Sequence, residues 1–405
     1  MNKINKMLFL CFCVFIPFEN TRLSAIGGVL TASPAIIFLF LGLLGCLLSI
    51  KKVNTKFFIL FIILHILSIG YLLYWSMIFP TLDIGFIFDR GVRFFAIIMF
   101  YFGAIYYSMR QSEALLIMGG KAISIVILFS LLCNIFFPSL IYNPSFLHAN
   151  EYFSINRFRG FAFESSSFGF QIICAVFIIA IVYKLNLVFT VLTATALGIL
   201  STSKGAVVVL LLSLVIVFLL IKRIAIIYKL ILIILSLIIG SFIVKTFLLS
   251  SFVGDIENYT SVATRLTVFL LGFKTLISYP LGVSYFGFLP YFYENGKDMM
   301  YFIQQHSPFL LIFSEVDEYF QIGAFKSIGT KSTILDLVVF FGWFFVIGLS
   351  VFVKKIFSQL RKKGNYILLI LSVFTLLANI FFISSLTLYL TPFLIGFITK
   401  LSQQE

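Results

Sequence analysis

The chain is poor in charge. Only 11% of its 405 residues are Asp, Glu, Lys or Arg, while 61% are hydrophobic. An average soluble domain carries roughly 25% charged residues, and no soluble core of this length could hide so much apolar surface. Lipid must cover most of it. Histidine is almost missing, with three copies, and no His/Asp spacing completes a metal site. The five cysteines, Cys11, Cys13, Cys46, Cys133 and Cys174, all lie inside apolar segments, which predicts neither disulfides nor a metal cage. No long linker, low-complexity tract or internal repeat interrupts the chain, so residues 1–405 read as a single membrane domain. Acids number 15 against 29 bases, for a net charge of +14. That excess does not mark a nucleic-acid partner, because the bases sit in short clusters between apolar runs and form no basic stripe.

What the sequence does have is apolar runs. A helix crosses the hydrocarbon core with roughly 17–25 mostly apolar residues. Candidate spans lie near 6–24, 32–50, 57–79, 94–109, 120–138, 166–183, 187–202, 204–221, 230–249, 334–353, 365–383 and 386–400. They predict an all-α, polytopic integral membrane protein with about twelve transmembrane helices. Lys3 and Lys6 ahead of Met7–Phe18 resemble a signal peptide. No small-x-small cleavage site follows, so an uncleaved first helix is expected.

Charge sets the orientation. With an even number of spans both termini share a side, and that side collects more than half of the 29 Lys and Arg, accompanied only by Glu113 and Glu405 of the 15 acids. By the positive-inside rule both ends are cytoplasmic. The opposite face then carries two long polar segments, 138–165 and 250–333. Loops of that length are usually functional or separately structured, and the second is expected to contain helical segments at the outer surface.

Ionisable groups at or near membrane depth are costly, and each invites a functional hypothesis. Arg157, Arg159, Gly160 and Glu164 lead directly into an apolar helix. Two guanidinium forks there match a lipid phosphate, although the same residues could simply snorkel to ordinary headgroups, with Glu164 pairing one of them. Ser201-Thr202-Ser203-Lys204 contains Ser-x-x-Lys, a nucleophile motif of penicillin-binding proteins. No soluble catalytic domain or Lys-Thr-Gly partner accompanies it, so Lys204 reads as a headgroup or pyrophosphate contact. The long loop holds Arg265, the turn signal Tyr279-Pro280-Leu281-Gly282, and His306. His65 falls mid-helix and His148 in the first loop. Imidazole suits proton transfer near neutrality, though a lone loop histidine is more often an ordinary surface residue. Glu315, Asp317 and Glu318 read as a solvated acidic face, and Asp336 calls for a partner such as Lys331.

The ordered set is familiar. Arg157-x-x-Gly160-x-x-x-Glu164-Ser165 resembles the Arg…Gly…Glu-Pro/Ser element of the O-antigen polymerase (Wzy) and O-antigen ligase group. Ser203-Lys204-Gly205-Ala206 is similar to its Ser-Arg/Lys-Gly-Ala turn. Arg265 with Tyr279-Pro280-Leu281-Gly282 resembles its Asn-Pro-Leu-Gly loop, with Tyr in place of Asn. Lys331-Ser332 through Phe341-Gly342-Trp343 is similar to the helix re-entry that closes the long loop. The resemblance covers about residues 150–350. The stretch around His306 is too divergent to align with the histidine of the ligases.

The resemblance implies a metal-independent glycosyltransferase without a cofactor, acting on polyprenyl-diphosphate-linked oligosaccharides at the outer face of the inner membrane. A chain-length regulator protein is a possible partner, and nucleic acid is not. Arg157, Arg159, Lys204 and Arg265 would meet the diphosphate; Glu164 or His306 would take the acceptor proton. Neighbouring arginines would keep Glu164 ionised and orienting, which favours His306 as the base. The alternatives are a ligase that passes glycan to lipid A core and a lipid-linked oligosaccharide flippase. A flippase typically has short loops and a charged central cavity, so the long outer loop favours the enzyme.

Overall fold

The computed structural model describes residues 3–48, 55–78, 82–152, 157–221, 225–229, 234, 260–308, 310–321 and 329–403. The expected span at 230–249 and the opening of the long loop at 250–259 therefore lie outside the described residues, apart from Ile234. Every regular element among the described residues is helical. The chain divides into two compact units, one formed by Met1–Lys52, Ala96–Leu220 and Val353–Glu405, the other by Val53–Phe95 and Ile221–Phe352.

The first unit contains α1 (Lys3–Phe15), α2 (Ser24–Gly27), α3 (Ala35–Leu48), the second half of α5 (Ile84–Met109), α6 (Glu113–Phe136), α7 (Pro138–Tyr142), α8 (Ser165–Tyr183), α9 (Leu187–Leu200) and α10 (Lys204–Leu220). The tail of α14 (Thr333–Lys363), α15 (Tyr366–Phe381) and α16 (Leu390–Ser402) complete it. Helix α8 is its axis. It packs against α6, α9, α10 and α15, and nearly every residue from Ser165 to Ile178 is buried. Small residues permit these close approaches: a side chain on Gly169 would strike Ser203, and one on Gly120 would strike Ile178. Between lipid-covered helices such small-residue contacts carry much of the association.

The second unit contains α4 (Thr55–Ile78), the first half of α5, α11 (Thr260–Ser278), α12 (Ser284–His306), α13 (Ser314–Tyr319) and the head of α14. Helices α11 and α12 flank the Tyr279-Pro280-Leu281-Gly282 turn. That turn locks onto a break in α14, where Gly342 leaves helical geometry at φ 57°. Trp343 donates its N–H to Pro280 O at 2.9 Å, and Val283 donates to Val339 O at 2.9 Å. Two backbone interruptions thus satisfy each other's polar groups, the condition for irregular chain at membrane depth. Both glycines are required. A Cβ on Gly282 would lie 2.5 Å from Phe340 O, and one on Gly342 would collide with Pro280 O.

Among the described residues four helices, α5, α6, α8 and α14, are long and apolar enough to cross a membrane; six apolar helical stretches are shorter, at 10–17 residues. They support a helical chain with membrane-length helices but not the expected count of about twelve spans, and local stop signals bound some of the apolar runs. The first helix ends at Phe15, ahead of Pro17, where a span to residue 24 was expected. Asn186 caps α9 with its own side chain, and the Ser201–Ser203 turn separates α9 from α10. In the other direction, α5 begins at Ile84, ten residues before the expected start at 94. Its added turns carry an exposed Asp89–Arg93 pair at 3.1 Å.

Candidate functional site

In the first unit the loop residues 143–152 and 157–164 are folded around polar groups drawn from three directions. Asn134, near the end of α6, accepts from the Gly160 N–H at 2.8 Å and the Arg159 N–H at 3.2 Å, while its amide donates to the Tyr142 hydroxyl at 2.8 Å. Gly160 adopts φ 52°, and a side chain there would strike Phe168. The Gly160 carbonyl accepts from His148 Nε2 at 2.9 Å. Since a carbonyl cannot donate, Nε2 carries the proton of the neutral ring. Burial, aided by the charge of Arg159, lowers the His148 pKa to about 4.

Arg159 points inward. It is 1% exposed. Its guanidinium donates to Ile141 O through Nε at 2.9 Å and through Nη2, and reaches Asn150 O at 3.2 Å. It also lies 4.8 Å over the Tyr152 ring. Burial lowers its pKa to about 10, so it stays charged at neutrality. A guanidinium spent on main-chain carbonyls organises the loop rather than facing a ligand. Arg157, two residues earlier, is exposed.

Glu164 precedes α8 in extended conformation, is half-buried, and accepts from the Ser166 hydroxyl. Lys204 opens α10 and is exposed. The Gly169–Ser203 contact places the start of α10 beside the first turns of α8. Arg157, Glu164 and Lys204 therefore share one end of this unit.

The second unit holds the remaining candidates. Arg265 is half-buried on α11, and its charge reaches Tyr319. Glu315, expected on a solvated acidic face, instead accepts from Tyr319 OH at 2.7 Å and Thr260 Oγ1 at 2.9 Å. Lys331 donates to Tyr319 OH at 3.2 Å and lies 5.1 Å over its ring. Asp336 accepts from Thr330, through N and Oγ1, both at 2.8 Å, and the charge of Lys331, the expected partner, also reaches it. His306 is the exposed last residue of α12. Its Nδ1 lies 2.8 Å from Phe302 O. A proton on Nδ1 makes that contact a hydrogen bond and leaves Nε2 with a lone pair toward solvent.

One acidic residue escaped the sequence reading. Glu19 lies in the segment after α1 and is 7% exposed. Its carboxylate accepts from the Phe163 N–H at 3.0 Å and from Gln171 Nε2 at 2.6 Å. Gln171 also donates to Pro17 O at 3.2 Å. The segment forms a strap across the loop: Glu19 N donates to Phe161 O at 3.1 Å, Ala149 N to Asn20 O at 2.9 Å, and Phe18 stacks on Phe161 at 4.6 Å. The signal was available, since an acid inside an apparent apolar span is a functional candidate by default.

No family model matches the chain, and no solved structure does. Along nearly its whole length the chain is similar to a Klebsiella pneumoniae protein described as "Uncharacterized 49.5 kDa protein in cps region". The two are 41% identical over 401 residues, 98% of this chain and 92% of the relative. Identity at that level across both chains leaves no room for a shared fragment only: the chain belongs to the family of that cps-region protein.

Proposed function

We propose that the protein is a surface-polysaccharide polymerase of the Wzy type, joining polyprenyl-diphosphate-linked oligosaccharide repeats at the outer face of the inner membrane. The observation that carries this reading is the full-length similarity to a protein of a cps, or capsular polysaccharide, region. It combines with the motif order from Arg157 to Trp343 and with an all-helical chain containing membrane-length helices. In this reading the chain is a multi-pass protein with both termini cytoplasmic, and a chain-length regulator is its expected protein partner.

The reaction is a displacement at the anomeric carbon of the donor glycan. An acceptor sugar hydroxyl forms the new C–O bond as the bond to the lipid diphosphate breaks, and the hydroxyl proton passes to a base. The leaving group departs as a stabilised anion, so the protein's work is to neutralise that charge and aim the acceptor. Arg157 and Lys204, exposed at one end of the first unit, are the proposed diphosphate contacts there. Arg159 is reassigned to holding their loop in shape. In the second unit Arg265 is proposed as a further diphosphate contact. His306 is proposed as the base, acting through Nε2 while Nδ1 is anchored on Phe302 O.

The test is a lipid and glycan analysis of a strain lacking this chain. Loss of a polymerase leaves acceptors carrying single repeats, whereas loss of a flippase leaves almost none. Full-length polymer in the deletion strain overturns the proposal. Complementation by Arg157→Ala should restore the protein but not the polymer, and Arg157→Lys should rescue poorly, because an ammonium cannot offer the planar fork.

A further inference from the structure

The strap after α1 is made of the wrong residue for mere packing. Glu19 places a carboxylate where three neutral partners converge on it: the Phe163 N–H, the Gln171 amide and the Ser167 hydroxyl. A methylene chain could have filled the volume without removing a charge from water, which carries a large desolvation cost. Two of these donors flank Glu164 along the chain. Phe163 immediately precedes Glu164, and Gln171 lies on α8 less than two turns beyond it.

We propose that Glu19 is the positioning residue of the candidate site: its carboxylate holds the Phe163 N–H, and with it Glu164, against the head of α8. This rests on the polymerase reading only for what the loop does, not for how it is held. The ionised form is the one that fits, since both oxygens face donors. A protonated carboxyl, like an amide, puts its own donor hydrogen against one of them and forfeits a hydrogen bond. Burial raises the Glu19 pKa to about 7, with the bonds from Phe163, Gln171 and Ser167 opposing the rise and the charge of Glu164 adding to it. Glu164 is the charged group whose field reaches Glu19, and the residues facing it from α8 are neutral. His148, in the same loop, titrates near 4 and stays neutral through the window in which Glu19 changes. Burial itself favours the protonated form, so the strap stays closed on acidification; the hydrogen bonds favour the ionised form, so with Glu19 still buried the Phe163 hold is strongest above pH 7 and loosens as pH falls through it.

The experiment uses the full chain in detergent micelles with a reporter thiol introduced by Phe163→Cys, at an exposed side chain whose own N–H is the one held. The native cysteines are buried or half-buried, and the parent chain supplies their background. Maleimide labelling is followed from pH 8.5 to pH 6 and divided by the rate of a small thiol at each pH. The Glu19-containing chain should label slowly at pH 8.5 and roughly five-fold faster at pH 6, the size of one net hydrogen bond. Glu19→Gln should label at the fast rate throughout, and in cells should lose polymer at unchanged protein level. Equal, pH-independent labelling of the two chains overturns the proposal. So does normal polymer from Glu19→Gln in a strain where Arg157→Ala abolishes it. Labelling requires no activity, so failure of the polymerase reading would leave the pH profile standing.

Discussion

At the scale of single residues, two arginines two positions apart have opposite surroundings. Arg159 is sealed among carbonyls and Arg157 is exposed. Removing Arg159 strands the buried carbonyl of Ile141 and empties a buried guanidinium site, at a cost of roughly 3 kcal/mol. Arg159→Ala should therefore lower the midpoint of thermal unfolding in detergent and the amount of protein in the membrane. Arg157→Ala should change neither while abolishing polymer, and a fall in protein level with Arg157→Ala would remove it from the proposed diphosphate set. The two candidate bases differ as well. Glu164 is already engaged by Ser166, whereas His306 is exposed. His306→Ala should lose more activity than Glu164→Gln at equal protein level, and His306→Gln should not recover it, since an amide cannot accept the proton. A fully active His306→Ala chain would take the histidine out of the mechanism. The sequence offered both arginines as equals because spacing alone cannot say which side chain turns inward. That choice is made by Asn134, which fixes the Arg159 and Gly160 amides from 25 and 26 residues away.

At the scale of elements, the apolar periodicity located most helices within a few residues. The expected 166–183 and 187–202 became Ser165–Tyr183 and Leu187–Leu200. What it could not locate was the interlock between the Tyr279–Gly282 turn and Gly342. Each looked weak alone, a Pro-Leu-Gly turn and a glycine in an apolar helix; their meaning comes from meeting through the backbone hydrogen bonds of Trp343 to Pro280 and of Val283 to Val339, distant in sequence. The glycines of α14 give a direct contrast. Gly342→Ala must push a methyl group into Pro280 O at a positive φ, and it should destabilise the chain by several kcal/mol, because backbone cannot step aside as a side chain can. Gly348→Ala, on the same helix with nothing within 4 Å of the added carbon, should be neutral or stabilising by up to about 1 kcal/mol. Thermal unfolding of the two variants in one detergent reads the difference directly, and equal midpoints would deny the interlock any structural weight.

At the scale of the whole molecule, the reading turns on which face each loop occupies. In the proposed topology the basic clusters near Lys354, Lys355 and Arg361–Lys363 keep the end of α14 on the cytoplasmic side. The segment carrying α11 and α12 would then lie outside. Alkaline phosphatase fused after Lys297 should be active, and a fusion after Lys362 inactive. The reverse pattern would invert the topology and put the proposed site on the wrong side of the membrane for an outer-face polymerase. Composition made the lipid environment legible at once. It left the number of crossings open, because an apolar run cut short by Pro17 looks the same in a hydropathy count as a full span.

The strap also imposes an order of events on synthesis. Glu19 and Pro17 emerge early, yet their partners Phe163 and Gln171 follow 144 and 154 residues later. At about 5–20 residues per second, the nascent chain waits roughly 7–30 seconds before the strap can close. Through that interval the first helix must remain near α6 and α8 as they arrive, with its carboxylate still hydrated. Closure of the strap therefore waits on residues made long after the strap itself.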